Sequence, residues 1–353
     1  MANVLITFFA LLLLAGGIGY SFLYGNHLHA HPSQIVSTQP TKKVVAKATV
    51  TPANVSPLAI STMRKKSYPG SPITFEETLS PGTNYNRYVV SYQSDGLKIY
   101  GLLTIPFGKK PAKGFPVILF NHGYIPPAAY STITSYSIMV DPLARAGYIV
   151  FKPDYRGNGN SQGEPMQPYV SANDVTDSMN ALAAIKKFHD ANPQEIGVFG
   201  HSMGGNVTLH ELVITHDFKA AELMAGVVGN ETGLMQWWQH RFAVRSIVGN
   251  DLDTYYIFAQ MLKKYGTPIA DPEYWNSIDP TKYLSFISAP VQIQVGSADE
   301  EVPVTFSSSL RDALQKAGKT VDYHMYPGAD HNLSPDTAAA MNETIAFFNS
   351  YLK

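Results

Sequence analysis

The chain of 353 residues contains no cysteine. That excludes disulfide bridges, thiolate nucleophiles and cysteine-ligated zinc, and it suits an oxidising compartment without requiring one. Charge is scarce as well. Only 15% of the residues are charged, and 26 Lys and Arg against 27 Asp and Glu leave a formal net charge of −1. The basic excess that marks nucleic-acid binders is missing, so no nucleic-acid partner is expected. No internal repeat is visible, and nothing calls for a cofactor or a metal. The three histidines His27, His29 and His31 sit in a Pro- and Thr-rich stretch and read as solvated linker residues. Oligomeric state leaves no signal in the sequence.

Hydrophobic residues make up 45% of the chain, and one block of them stands apart from the rest. Val4 to Tyr24 is uncharged and apolar, and crossing a bilayer takes about 20 such residues. No basic residue precedes it, and no small-x-small cleavage site follows it. Residues 1–26 are therefore expected to form an N-terminal membrane anchor carrying an extracytoplasmic domain. A cleaved signal segment and secretion is the alternative. Lys42, Lys43 and Lys47 behind the span argue, if anything, against export. Residues 27–61 have neither helical nor alternating periodicity and read as a flexible linker.

Residues 62–353 carry the folded body. Arg87 to Tyr92 and Leu97 to Ile105 flank Ser94-Asp95-Gly96, a hairpin turn signal. Val117 to Phe120, Tyr148 to Phe151 and Ile196 to Phe199 are continuous apolar runs; Met224 to Val228 and Val291 to Val295 are weaker ones. Such runs, separated by helical periods like Val175, Met179, Leu182 and Ile185, predict parallel strands covered on both faces. The expected class is a doubly wound α/β domain. One insertion, about residues 231–288, breaks the alternation and holds all three tryptophans, Trp237, Trp238 and Trp275. A long aromatic insertion of this kind reads as a helical cap over a binding site.

Behind the Ile196 to Phe199 strand stands Gly200-His201-Ser202-Met203-Gly204, followed by a helical stretch. Strand, tight turn and helix are the context a nucleophile elbow needs, and the two glycines keep Cβ atoms away from a crowded turn. A serine hydroxyl needs a base, and the base needs an orienting acid. Asp299 follows the Val291 to Val295 strand, and His331 follows the β-like Val321 to Tyr326. Both are placed where side chains can converge above a parallel sheet. Glu300 and Glu301 are rival acids, and His324 reads as a residue of the strand itself. For the oxyanion hole the candidates are the N–H groups of Met203 and of Tyr124, in the loop Asn121-His122-Gly123-Tyr124. His122, Trp237, Trp238, Tyr265 and Trp275 are candidate substrate-binding residues.

The ordered pieces NHGY, DYRGNGNSQG, GHSMGG, GSADEEVPV and YPGADH resemble the catalytic domain of the prolyl oligopeptidase group of serine peptidases, within the α/β-hydrolase superfamily. The resemblance runs from about Tyr88 to Lys353. It implies a triad of Ser202, Asp299 and His331 and cleavage of amide or ester bonds in a small ester or peptide substrate. Family peptidases usually carry a β-propeller ahead of this domain, and the residues between anchor and first strand are too few to build one. An esterase of the dienelactone-hydrolase type, an acyltransferase, and a catalytically silent scaffold binding a ligand or partner therefore stay open beside a peptidase.

Overall fold

A computed structural model describes residues 56–165, 172–237, 262–263 and 265–353. The expected anchor, Trp238 and the middle of the insertion lie outside these residues. Among the described residues no helix is long and apolar enough to cross a membrane. Helix α1 (Ile60–Met63) begins within the stretch expected to be linker, but Ile60 and Met63 are completely buried. The folded body thus takes in chain from Ser56 onward, because two apolar residues of that segment have a core to enter.

The polypeptide then runs β1 (Thr74–Leu79), β2 (Tyr85–Ser94), β3 (Leu97–Pro106), β4 (Phe115–Asn121), α2 (Ser137–Arg145), β5 (Ile149–Pro153), α3 (Asn173–Lys186), β6 (Ala191–His201), α4 (Met203–Ile214) and β7 (Ala220–Met224). Within the insertion lies α5 (Pro272–Ile278), and after it come β8 (Val291–Gly296), α6 (Val304–Lys316), β9 (Val321–Tyr326) and α7 (Thr337–Leu352). Nine strands form one sheet in the order β1-β2-β3-β5-β4-β6-β7-β8-β9. From β5 to β9 every neighbour is parallel, and β1 to β3 add an antiparallel edge. The hairpin turns as expected: Ser94 pairs with Leu97, and Asp95 and Gly96 both take positive φ, as a two-residue turn demands. Strand β1 (TFEETL) escaped the sequence reading because it is an exposed edge with no buried alternation.

Continuous apolar runs become central strands because both faces of the sheet are covered. Along β4, Val117 and Leu119 enter one core with residues of α3, α4 and α6, while Ile118 and Phe120 enter the other with residues of α2 and α7. The expected strand Met224 to Val228 is displaced. The strand is Ala220–Met224, which pairs with β6 and β8, and Ala225 leaves it with φ 47°. Its sequence AAELM hid it, since alanine and glutamate are weak strand formers. Val227 instead donates its N–H to the Ser202 carbonyl at 2.9 Å, so that run is buried against the turn behind β6 rather than within the sheet.

Candidate active site

Strand order reverses between β4 and β6, its neighbour, so the connections on either side diverge and leave a crevice at their C-terminal ends. Ser202 stands at that point, between β6 and α4, with φ 55° and ψ −122°. A non-glycine residue held there costs of order 1–3 kcal/mol and persists only where the surroundings impose it. They do: the Ser202 N–H donates to the Met224 carbonyl at 3.1 Å, and its carbonyl accepts from Gly205 and Val227 at 2.9 Å each. The two elbow glycines are required by space. A Cβ on Gly204 would stand 2.0 Å from the Asn121 carbonyl oxygen, and one on Gly200 would stand 2.5 Å from that of Gly204.

Asp299 and His331 meet as expected. His331 Nδ1 lies 2.9 Å from Asp299 Oδ2, and the Asp299 side chain is fully buried. The other carboxylate oxygen accepts the N–H groups of Glu301 and Val302, at 2.8 Å each. Both oxygens of Asp299 are thereby fixed, while the neighbouring Glu300 is exposed. The two loops are joined by Ala298 N–H to the Ala329 carbonyl, 2.9 Å. Gly296 permits the approach, since a Cβ there would come within 2.3 Å of that same carbonyl oxygen. Asp330, excluded as the acid by its adjacency to His331, accepts from Asn332 and Ser334 N–H and shapes the histidine loop.

The neighbour of Ser202 in the chain, His201, reaches the loop of this pair. His201 Nε2 lies 3.1 Å from the His331 carbonyl oxygen, and the two imidazole rings are 4.9 Å apart. A carbonyl only accepts, so His201 carries its proton on Nε2, and Nδ1 then accepts from the Tyr136 hydroxyl at 3.1 Å. The Tyr136 oxygen in turn accepts the Gly123 N–H at 2.8 Å. This chain of polarity needs a neutral His201, and burial, reinforced by the nearby His331, lowers its pKa to about 3. Gly123 itself touches the elbow: a Cβ on it would lie 2.8 Å from the Ser202 Cβ. The Gly123 N–H is thereby engaged within the loop. The sequence reading missed the parts played by His201 and Tyr136, because nothing local signals contacts spanning 130 and 65 residues.

Two of the expected substrate contacts, His122 and Trp275, are corrected by burial. His122 is 1% exposed, with Nδ1 2.8 Å from the Gly123 carbonyl and Nε2 3.2 Å from that of Asp154. Burial and the charge of Lys152 push its pKa down to about 3, so the neutral ring donates to one of the two, and the shorter contact is to Gly123. It supports the loop Asn121 to Tyr124. Trp275 is buried in a small cluster with Met235 and Ile278. Tyr265 stacks on Tyr274 at 4.2 Å, and Trp237 meets Phe306 edge-on at 6.0 Å. These are packing contacts within the insertion or onto α6.

Beneath the site, the DYRGNGNSQG segment holds Arg156, which forks onto buried Asp177 with bonds of 2.9 and 2.7 Å. Lys152, wholly buried, donates to the Tyr130 hydroxyl at 2.8 Å, and Tyr130 and Thr132 both donate to Asp154. Among the described residues no group of His, Asp and Glu could hold a metal ion.

A parallel sheet with a serine elbow at its switch point and an Asp–His pair in the loops after β8 and β9 defines an α/β hydrolase. The profile of the prolyl oligopeptidase family matches residues 134–353, and the chain belongs to that family. It is accordingly a serine hydrolase. It is 26% identical over 263 residues to an uncharacterized peptidase of Bacillus subtilis (strain 168), YtmA, covering 72% of this chain and 90% of that one. It is also 26% identical over 262 residues to an acylamino-acid-releasing enzyme of Arabidopsis thaliana, covering 69% of this chain. The chain spans only about a third of that relative (31%), and 34% of a second uncharacterized B. subtilis peptidase, YuxL. Among solved structures it is similar to the Pyrococcus horikoshii acylaminoacyl peptidase, with TM-score 0.60, 21% identity and coverage of 77% of this chain and 42% of that one. The Pyrococcus furiosus esterase Pf2001 has TM-score 0.56 and 14% identity over 76% of this chain and 94% of its own.

Proposed function

We propose that the protein hydrolyses peptide or ester bonds through an acyl-enzyme on Ser202, with His331 as general base and Asp299 as its orienting acid. The observation that carries this is the 2.9 Å contact between His331 Nδ1 and a doubly anchored Asp299, in the loops that leave β9 and β8. In this mechanism His331 Nε2 takes the Ser202 proton as Oγ attacks the substrate carbonyl carbon, and then returns it to the leaving amine or alcohol. Asp299 keeps the imidazole in the tautomer with Nδ1 protonated and stabilises the imidazolium. The oxyanion is received by the N–H groups of Met203 and Tyr124, and losing one such donor lowers kcat about 10² to 10³-fold. Water then attacks the acyl carbon, with His331 again the base, and Ser202 is released. Peptide substrates are favoured by the relatives named as peptidases. Attachment to a membrane through Val4 to Tyr24 belongs to the same reading.

Full-length protein and its Ser202→Ala variant, offered short-chain p-nitrophenyl esters and aminoacyl or dipeptidyl p-nitroanilides, test the assignment. Anilide cleavage that disappears with Ser202 identifies a peptidase, and ester cleavage alone identifies an esterase. Failure of both, with no labelling of Ser202 by a fluorophosphonate, would sink the hydrolytic reading and leave a ligand-binding scaffold.

A further inference from the structure

Met203, directly after the proposed nucleophile, forms part of the wall of a second feature. It is an enclosed cavity of about 30 Å³ between α3, α4 and the start of the insertion. Val207 and Leu234 supply more of its apolar wall; Asp174 and Glu231 are its carboxylates, and no Lys or Arg is among the described residues that line it.

Asp174 is 2% exposed, and its Oδ1 has no hydrogen-bond partner. The cation whose charge reaches it, Arg156, is committed to Asp177 and Asp95. Neither of the remaining groups supplies a positive charge. His210 lines the cavity, but burial lowers its pKa and its Nδ1 faces the Asn206 carbonyl at 2.9 Å. Burial and the nearby Asp279 raise the Glu231 pKa to about 8, and burial with Asp177 raises that of Asp174. Two carboxyls whose ionised forms lack a counter-charge thus share a space next to the nucleophile.

Size narrows the ligand. The cavity holds about two water-sized groups, which is room for a terminal ammonium on a slender stem. We propose that it is the specificity pocket for a primary ammonium group on the acyl part of the substrate, with Asp174 and Glu231 as its counter-charges. The proposal rests on Ser202 being the nucleophile. Two sources share this chemistry: a lysine-type side chain on the residue whose carbonyl is attacked, and a free α-amine.

Three p-nitroanilides, with the matching p-nitrophenyl esters, separate the sources: Nα-blocked lysyl, Nα-blocked norleucyl and unblocked norleucyl. Lysine against norleucine isolates the side-chain ammonium, and unblocked against blocked norleucine isolates the α-ammonium. One ammonium substrate is expected to exceed blocked norleucyl in kcat/KM by about 10-fold or more, mainly through KM. Asp174→Asn, and independently Glu231→Gln, should bring that ratio close to one. Equal use of all three substrates by the wild type, or a ratio unchanged in both variants, overturns the proposal while leaving the hydrolase intact. If no substrate turns over, hexylamine against hexanol decides, read as protection of Ser202 from a fluorophosphonate and as a thermal shift. Protection or stabilisation by the amine alone, lost in Asp174→Asn, supports the pocket; equal behaviour of amine and alcohol removes it. Absence of labelling counts separately, against the hydrolytic reading.

Discussion

His201 holds the backbone of His331: its Nε2 lies 3.1 Å from the His331 carbonyl oxygen, while its Nδ1 faces the Tyr136 hydroxyl. The residue beside Ser202 thus positions the loop that carries His331. Through Tyr136 the same ring reaches Gly123, in the loop that carries the proposed oxyanion donor Tyr124.

Tyr136 is therefore a positioning residue, and Tyr136→Phe should show it. The change leaves the Gly123 N–H and His201 Nδ1 without their partner while keeping the ring. We expect kcat to fall about 10-fold with KM within twofold, since an unpaired buried group costs about 1–3 kcal/mol. Steady-state kinetics beside a thermal melt checks this, and an unchanged kcat would remove Tyr136 from the network.

Gly204→Ala should be poorly tolerated. Its Cβ would meet the backbone of Asn121, 2.0 Å from the oxygen and 2.5 Å from the carbon, and neither can swing away as a side chain could. Overpacking of this kind costs about 1–3 kcal/mol and sometimes more, with loss of Ser202 labelling. Gly233→Ala is the contrast: there the nearest atom is Asn230 Oδ1 at 3.3 Å. Denaturant melts of the two variants should differ clearly.

Acid should weaken the fold through its buried imidazoles. His122 and His201 have pKa values of about 3, against 6.5 for the unperturbed group. Below about pH 6.5 the unfolded chain takes up protons that the folded chain refuses, so stability falls as pH drops toward 3. Each histidine contributes up to about 1.4 kcal/mol per pH unit across that window. Chemical denaturation from pH 8 to pH 4 measures the slope, and His122→Gln should make it shallower by about one proton.

Glu222 should act in the opposite direction. It lies in the centre of β7, fully buried, and neither carboxylate oxygen has a partner. Burial, then the charges of Asp322 and Glu343, raise its pKa well above that of a free carboxyl. The folded chain holds a proton that the unfolded chain releases above about pH 4.5, so this position loses stability as pH rises. Glu222→Met is expected to stabilise the protein by about 1–3 kcal/mol, more at pH 8 than at pH 5. Equal melting of variant and wild type at both values would refute it.

The elbow, the Asp299 and His331 positions and the parallel sheet could all be read from residues close together in the chain. A strained turn needs glycine on both sides of its serine whatever surrounds it, and a strand covered on both faces must be apolar throughout. Asp299 and Glu300 leave the same strand, and only the contacts that fix both Asp299 oxygens separate them. The displaced strand Ala220–Met224 could not be read this way, because its place comes from pairing with β6 and β8 and not from its own composition. The same holds for His122, which sequence put among the substrate contacts and packing put beneath a loop. Tertiary structure alone decided that His201 supports His331 and that Asp174 lines a cavity beside Met203. Local sterics are written in neighbouring residues, whereas a buried polar group's partner depends on which distant segment the sheet order brings to it.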